Sequence, residues 1–231
     1  MKNNISCSKV SDTLLCPHCK NKEIIKNGRT KNKKQQYFCK KCGKRFIDYY
    51  TYKAYSPTIN LQIIILTKEG LGIRSTARVL NISATTLLKR IFSIARNIPQ
   101  PPIGKGKIYE VDEIRTFIRR KDKPIWVVYA LERTTGTVAN FWVGPRTNRT
   151  LCAVLKTLKL AEAKQIFTDG LKNYRYLIGK AAHRVKQYGT NRIERNNLTL
   201  RTHLKRLSRR TICFSRSLVV LSAVLRIYFW G

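Results

Sequence analysis

Carboxylates are scarce in this chain, which carries 12 Asp and Glu residues against 47 Lys and Arg residues and has a formal net charge of +35 at pH 7. This imbalance far exceeds what solubility requires, and it indicates a polyanionic partner. Long apolar runs are lacking too, since no stretch approaches the roughly 20 residues of a membrane span. The polar start MKNNISCSKVSD has no signal-peptide core. We therefore expect an intracellular protein without a membrane partner.

Apolar material is nevertheless sufficient for a folded core. Hydrophobic residues make up 43% of the 231 residues and aromatic residues 10%, which argues against global disorder. This length suits one or two domains. In a reducing compartment the seven cysteines indicate metal binding or packing rather than disulfides.

Four of the cysteines form two C-x2-C pairs separated by nineteen residues. The pairs are Cys16 with Cys19 and Cys39 with Cys42. Tight turns of this kind bring four thiolates to one tetrahedral ion, so the spacing predicts a closed, structural Zn²⁺ site. Between the pairs the sequence predicts two short strands with Asn27-Gly28 as their turn. We assign residues 1–50 to a zinc ribbon; a redox dithiol pair is the alternative.

Residues 58–96 have helical periodicity that is interrupted twice, at Gly70-Leu71-Gly72 and at Asn81-Ile82-Ser83, and so predict three helices. Ser83 is a suitable N-cap for the third. We assign residues 57–97 to a helix-turn-helix segment, for which a packing unit without DNA contact is the alternative. The residues expected on the outer side of the third helix, facing DNA, are Thr85, Thr86, Lys89 and Arg90.

The segment of residues 98–107 is rich in proline and glycine and is interpreted as a linker. Beyond it, at residues 108–231, three strand patterns, a helix, a short strand ending at Asp169 and a further helix follow one another. That order predicts a ribonuclease H-like domain, in which a mixed sheet is flanked by helices. The fold class is therefore mixed α+β. Residues 191–211 are interpreted as one long basic helix.

The few acids of the second half are informative. From residue 164 to the end there are fifteen Lys and Arg residues but two acids, Asp169 and Glu194. Because carboxylates repel a polyphosphate ligand, their retention indicates a task that needs them, such as holding divalent cations in phosphoryl transfer. A third ligand is expected from the strand IYEVDEIRTF. Alternation places Glu110 and Asp112 on one face and Glu113 on the other, and does not choose between the first two. Ion pairing with neighbouring arginines is the structural alternative.

The runs VDEIRTFI, WVVYALERTTGTV, FTDGLKNYRYLI and TNRIERNNLTLRTHLKRLSRRTICFSRS closely resemble transposases of the insertion sequence 1 family. The resemblance implies a DDE-type, ribonuclease H-like enzyme with a triad of Asp112, Asp169 and Glu194 that holds two Mg²⁺ or Mn²⁺ ions. It further implies that Arg201 positions the transposon end. Asn197, one turn from Glu194, would orient it or contact a phosphate. The basic residues expected to hold DNA are Arg195, Lys205, Arg206 and Arg209.

By the same resemblance, the protein binds the terminal inverted repeats of an insertion sequence, cleaves the ends and joins them to target DNA. It would act as a homodimer or higher oligomer on double-stranded DNA, in the cytoplasm and at the nucleoid of a prokaryotic cell. Three alternatives remain open. They are a non-enzymatic zinc and helix-turn-helix regulator, a nuclease or resolvase that cuts without joining, and an inactive transposase remnant.

Overall fold

The computed structural model describes residues 14–47 and 52–231. Parts of the predicted ribbon, residues 1–13 and 48–50, lie outside the described residues. The chain divides into two compact units, one comprising the chain up to Ile59 together with Leu80–Ile82 and the other comprising the remainder.

The first unit contains a three-stranded antiparallel sheet. Its strands are β1 (Ile24–Arg29), β2 (Gln35–Cys39) and β3 (Arg45–Ile47), in the order β1-β2-β3. The predicted turn at Asn27-Gly28 is wrong: both residues lie inside β1, where the register shifts and Gly28 takes φ +69°. Such a bulge uses glycine for the same conformational freedom as a turn. The hairpin instead closes between Thr30 and Lys34: the Thr30 backbone N–H donates to the Lys34 carbonyl at 2.9 Å, and the Lys34 N–H donates to Thr30 Oγ1 at 3.2 Å.

The three helices predicted in residues 58–96 are present. They are α1 (Ile59–Lys68), α2 (Ile73–Val79) and α3 (Ala84–Asn97). Ser83 caps α3 as expected, because its side chain accepts a hydrogen bond from the Thr86 backbone N–H at 3.0 Å. The turn between α2 and α3 contains Asn81 with φ 51°, in the left-handed region that asparagine tolerates. The helix-turn-helix pattern therefore has the local structure that the sequence predicted.

A five-stranded mixed sheet forms the centre of the second unit. Its order is β6-β5-β4-β7-β8, with β4, β5 and β6 antiparallel and with β7 and β8 parallel to β4. The strands are β4 (Ile108–Phe117), β5 (Pro124–Glu132), β6 (Val138–Gly144), β7 (Gln165–Thr168) and β8 (His183–Arg184). The predicted fold class is confirmed: this is a mixed sheet of ribonuclease H-like architecture.

Helices cover both faces of this sheet. They are α4 (Asn148–Leu160), α5 (Lys172–Leu177), α6 (Asn191–His203) and α7 (Leu218–Trp230). On one face, Tyr109 and Val111 of β4 share a buried core with residues of α4 and with Tyr174 of α5. On the other, Tyr129 of β5 bonds to the backbone of α6 and stacks on Phe229 of α7 at 5.8 Å. Successive residues of β4 therefore face different helical layers.

The basic segment of residues 191–211 is not one long helix. Helix α6 ends at His203, and Leu204 follows in an extended conformation with φ −97° and ψ 90°. Leu204 and Leu207 are both buried, and a single 3₁₀ turn, Lys205–Leu207, replaces the α-helix here, so the helix ends although the chain stays against the core. Of the four basic residues expected to hold DNA, three lie beyond the end of α6.

The helices α1 to α3 belong to the same compact unit as the large sheet. Helix α3 packs on α7, and the Arg226 guanidinium donates two hydrogen bonds to the Ile98 carbonyl at 2.7 and 3.1 Å. Between α1 and α2, Gly70 lies directly against the backbone of His203, and a Cβ atom there would stand 2.0 Å from the His203 oxygen. The last turn of α6 therefore abuts the α1–α2 turn.

No helix within the described residues has the length and apolar character needed to span a membrane.

Candidate catalytic and metal centres

The ribbon cysteines form a compact four-sulfur cluster. One sulfur from each of Cys16, Cys19, Cys39 and Cys42 lies within 4.8 Å of the others, with Sγ–Sγ distances of 3.6 Å for Cys16–Cys42 and 3.5 Å for Cys19–Cys39. Zn–S bonds of about 2.3 Å in a tetrahedron require sulfurs about 3.8 Å apart. The donors and their spacing therefore fit one Zn²⁺ ion. Lys20 and Gly43, each four residues after the first cysteine of its pair, adopt positive φ and close equivalent turns.

The two aspartates of the predicted triad meet at the sheet. The parallel register pairs Val111 of β4 with Thr168 of β7, so Asp112 and Asp169 are the next residues on neighbouring strands. The Asp169 side chain is exposed, and its Oδ1 accepts a hydrogen bond from the Leu171 backbone at 3.1 Å, which fixes the turn that leads into α5. Strand pairing thus positions both carboxylates without contributions from distant loops.

Glu194 lies in the first turn of α6, and Glu110 holds that turn in place. The buried Glu110 carboxylate accepts a hydrogen bond from the Ile193 backbone N–H at 2.9 Å and pairs with Arg133 Nε at 3.3 Å. Glu194 itself is exposed, and its Oε1 accepts a hydrogen bond from Thr190 Oγ1 at 2.7 Å. Glu110 is thus bonded to the start of α6 and paired with Arg133, although its Oε1 makes no hydrogen bond within the described residues.

A buried hydrogen-bond chain orients Asp112. Asn197 donates from Nδ2 to Asp112 Oδ2 at 2.6 Å, and its Oδ1 accepts from the Tyr129 hydroxyl at 2.7 Å. The other oxygen of Asp112 accepts from the Glu113 backbone N–H at 2.7 Å. The sequence placed Asn197 one turn from Glu194, whereas its amide hydrogen bond goes to Asp112.

Burial raises the pKa of Asp112; two hydrogen bonds oppose the shift, and the charges of Asp169 and Glu194 add to it. Asp112 therefore senses both other carboxylates of the triad. Glu194 is nevertheless not part of the tight oxygen cluster that Asp112 and Asp169 form. The carboxylate oxygens of Asp112 and Asp169 are donors of the kind that hard divalent cations prefer, and a bound cation would favour the ionised form of Asp112.

Arg201 lies two turns along α6 from Glu194, on the side of Asp112. Burial lowers the pKa of its guanidinium and Arg209 lowers it further, whereas Asp112 and Tyr129 act in the opposite direction. Its Nε is buried and has no hydrogen-bond partner within the described part of the chain. Arg201 thus carries a positive charge close to the acids.

Glu113 was not among the predicted ligands, because strand alternation places it on the opposite face of β4 from Asp112. The side chain does lie on that face, yet one of its oxygens is within 4.8 Å of oxygens of both Asp112 and Asp169. Burial raises the pKa of Glu113 to about 7; Arg146 opposes the shift, and the two aspartates reinforce it. Strand alternation cannot reveal such an approach, because Asp169 stands just beyond the end of β7. The sequence signal that could have indicated Glu113 is its position directly after Asp112.

The residues proposed to contact DNA differ in exposure. Thr85 and Lys89 of α3 are exposed, and Thr86 and Arg90 are half-buried. Arg195, Lys205 and Arg209 are exposed as well. Arg206 is half-buried and donates to Ser215 Oγ at 3.2 Å, and burial lowers its pKa. His183 is a sheet residue in β8, bonded to Thr168 Oγ1 at 2.8 Å.

Two family models match separate parts of the chain. The family model described as "IS1 transposase" matches residues 107–230, and the model described as "InsA C-terminal domain" matches residues 50–93. The chain is 41% identical to the insertion element iso-IS1n protein InsB of Shigella dysenteriae over 49% of its own length and 86% of that protein. It is 37% identical to the IS1 protein InsB of Shigella flexneri over 47% and 82%.

Among solved structures, the HTLV-2 integrase catalytic core domain in complex with magnesium aligns with a TM-score of 0.33. The alignment has 15% sequence identity and covers 55% of this chain and 86% of that one. A likeness of this degree supports no argument about activity.

Proposed function

Because the chain belongs to the IS1 transposase family, whose model matches residues 107–230, we propose that it is a DNA transposase. In this proposal it binds the terminal inverted repeats of an insertion sequence, cleaves the strand at each end and transfers the freed end into target DNA. One observation carries the proposal. Asp112, in the middle of β4, meets Asp169, just beyond the end of the neighbouring β7, and the charge of Glu194 on α6 adds to the rise in the pKa of Asp112.

The three acids would hold two Mg²⁺ or Mn²⁺ ions, which supply an activated oxygen nucleophile and stabilise the leaving oxygen. In the first transfer, water attacks phosphorus and the bond to the 3′ oxygen breaks, which frees a 3′-hydroxyl. In the second, that hydroxyl attacks a phosphorus of the target backbone and the P–O3′ bond of the target breaks, which joins the element's end to a target 5′-phosphate and frees a target 3′-hydroxyl. Asn197 keeps Asp112 oriented through both steps, and Arg201 binds a backbone phosphate near the acids.

The remaining parts of the chain would bind and position DNA. Residues 1–50, with one structural Zn²⁺, and residues 57–97 would read the terminal repeats, and residues 98–107 would connect them to the catalytic part at residues 108–231. The exposed arginines and lysines of α6 and the following segment would contact phosphates. Since two ends are handled together, the active form would be a homodimer or a higher oligomer on DNA.

The decisive experiment uses a DNA fragment that carries the repeats flanking the gene, with Mg²⁺ and the full chain. Strand cleavage and joining by the natural protein are compared with those of Glu194→Gln. Glu162→Gln is the matched control, because Glu162 is an exposed acid that pairs only with the exposed Lys105, 3.2 Å away. We expect cleaved and joined products from the natural protein and from Glu162→Gln, and none from Glu194→Gln.

Other outcomes distinguish the alternatives. Specific DNA binding without cleavage by any of the three proteins would favour a regulator or an inactive remnant. Cleavage without joined products would favour a nuclease or resolvase. Full activity in Glu194→Gln would remove Glu194 from the triad.

A further inference from the structure

Glu113 contributes a fourth carboxylate to the catalytic centre from an unexpected direction. Its neighbour Asp112 faces α6, whereas Glu113 faces the layer of α4 and α5 on the other side of the sheet. Even so, one oxygen each of Asp112, Glu113 and Asp169 lie within 4.8 Å of one another. Ligands about 2.1 Å from an octahedral ion are separated by about 3.0 Å when adjacent and about 4.2 Å when opposite. Small side-chain adjustments would bring the three oxygens onto one ion.

The surroundings of Glu113 leave one of its oxygens without a partner. The side chain is only 3% exposed; its Oε2 lies 3.7 Å from the Arg146 guanidinium. Its Oε1 is buried and has no hydrogen-bond partner in the described part of the protein. The hydroxyl of the fully buried Tyr174 lies beside Glu113 and favours its ionised form, but it too makes no hydrogen bond of normal geometry within the described residues. A buried carboxylate oxygen without a well-placed donor is costly unless something else binds it.

We propose that Glu113 is a further metal ligand of this centre, whose Oε1 binds the ion shared by Asp112 and Asp169 while Arg146 holds Oε2. The ion thus receives oxygens from both faces of the sheet. The inference deepens the proposed function and rests on it, but it concerns ion binding and is measured without DNA.

The test is Mn²⁺ binding to the full chain in the absence of DNA, followed by the electron paramagnetic resonance signal of free Mn²⁺. Four proteins are compared, namely the natural protein, Glu113→Gln, Asp169→Asn and Glu132→Gln. Glu132 is the matched control, because it is a largely buried acid of the same sheet that faces Lys107 at 3.9 Å and also has a buried oxygen without a hydrogen bond.

We expect Glu113→Gln and Asp169→Asn to weaken Mn²⁺ binding at least about tenfold and Glu132→Gln to change it less than twofold. Thermal unfolding gives a second measure, because a bound ion stabilises the folded state by an amount that grows with the logarithm of its affinity. The Mn²⁺-induced rise in Tm should shrink in Glu113→Gln, with near-UV circular dichroism unchanged. Should Glu113→Gln fail to fold, Glu113→Asp retains the charge but withdraws the oxygen by one methylene, and it should also weaken binding.

Unchanged Mn²⁺ affinity in a folded Glu113→Gln or Glu113→Asp protein would overturn the inference. So would equal weakening in Glu132→Gln, because any loss of a buried acid would then suffice. The proposed function fails separately: a natural protein that binds Mn²⁺ through Glu113 but never cleaves DNA would refute transposition and leave the metal ligand standing.

Discussion

Replacing Glu110 should destabilise the fold without changing the catalytic centre, whereas replacing Asp112 should abolish strand cleavage and leave the protein folded. Glu110 is fully buried, accepts a hydrogen bond from the Ile193 N–H and pairs with Arg133. Glu110→Ala leaves that N–H unpaired at the start of α6 and removes the anionic partner of the guanidinium. Breaking a buried ion pair costs about 3–5 kcal/mol. Because Arg133 is 36% exposed and can turn to water, we expect a loss near the lower end, about 3 kcal/mol.

Glu110→Gln should cost less, about 1–2 kcal/mol, because the amide oxygen still accepts from Ile193 and only the charge is lost. Asp112→Asn should cost about 1 kcal/mol, because the amide loses the buried charge whose pKa burial already raises but turns one of two accepting oxygens into a donor that faces the Asn197 amide or the Glu113 N–H. Urea unfolding followed by circular dichroism, in the presence of a chelator, measures all three changes. The same proteins are then assayed for strand cleavage with Mg²⁺ at a temperature where each is folded.

The expected pattern is a folded, inactive Asp112→Asn and a destabilised Glu110→Gln whose activity follows its folded fraction. A Glu110→Gln protein that is as stable as the natural one yet inactive would refute the assignment. It would mean that Glu110, rather than Asp112, carries the metal.

Four further predictions test other parts of the structure. Gly70→Ala should lower the free energy of unfolding by more than about 1 kcal/mol, because φ +76° and the His203 oxygen both oppose a Cβ. Gly72→Ala should not, because a Cβ at Gly72 meets open space, and equal Tm values for the two variants would contradict this prediction. Cys16→Ser or chelation should release Zn²⁺ and unfold the ribbon while the large sheet stays folded, as followed by zinc content and circular dichroism, whereas Cys213→Ser should be silent. Burial and two arginines lower the pKa of His183 from 6.5, so the unfolded state binds more protons and this contribution to stability is lost as pH falls below about 6.5. His183→Gln should therefore reduce the fall of the urea midpoint below about pH 6.5, and an unchanged pH profile would exclude His183 as the cause of that fall. DNA affinity should fall steeply with salt, with a log-log slope of about −0.9 per phosphate neutralised, and a flat dependence would mean that few of the positive charges lie at the interface.

Features encoded in local spacing could be predicted from the sequence. The two cysteine pairs, the Ser83 cap and the three antiparallel strands before α4 depend on residues close together in the chain, and all are present in the structure. The turn at Asn27-Gly28 was wrong because glycine's freedom serves a bulge and a hairpin equally well. The predicted length of α6 was wrong because the chain leaves the helix at Leu204 for a 3₁₀ turn, whereas the helical spacing of the buried Leu200, Leu204 and Leu207 favours a continued helix.

The candidate site was only partly predictable for a related reason. Alternation reports which face a residue occupies, but not its depth along the strand. Glu110 and Asp112 share a face, yet they lie at different positions along β4. Glu110 bonds to the start of α6, whereas Asp112 lies level with Asp169, just beyond the end of β7. Strand alternation also excluded Glu113, although its longer side chain approaches the two aspartates from the opposite face of the sheet. Only the register between β4 and β7 distinguishes these cases.

The contact between Gly70 and His203 has a mechanical consequence. Helix α6 has 13 residues and so is about 20 Å long. It carries Glu194 in its first turn, and its last residue lies against the turn that joins α1 to α2. In the proposed function, helix α6 is thus a rod with the DNA-reading helices at one end and a metal ligand, Glu194, at the other. If DNA bound by those helices shifts the rod, ion affinity at Glu194 must change, and by thermodynamic reciprocity ion binding must change DNA affinity by the same factor.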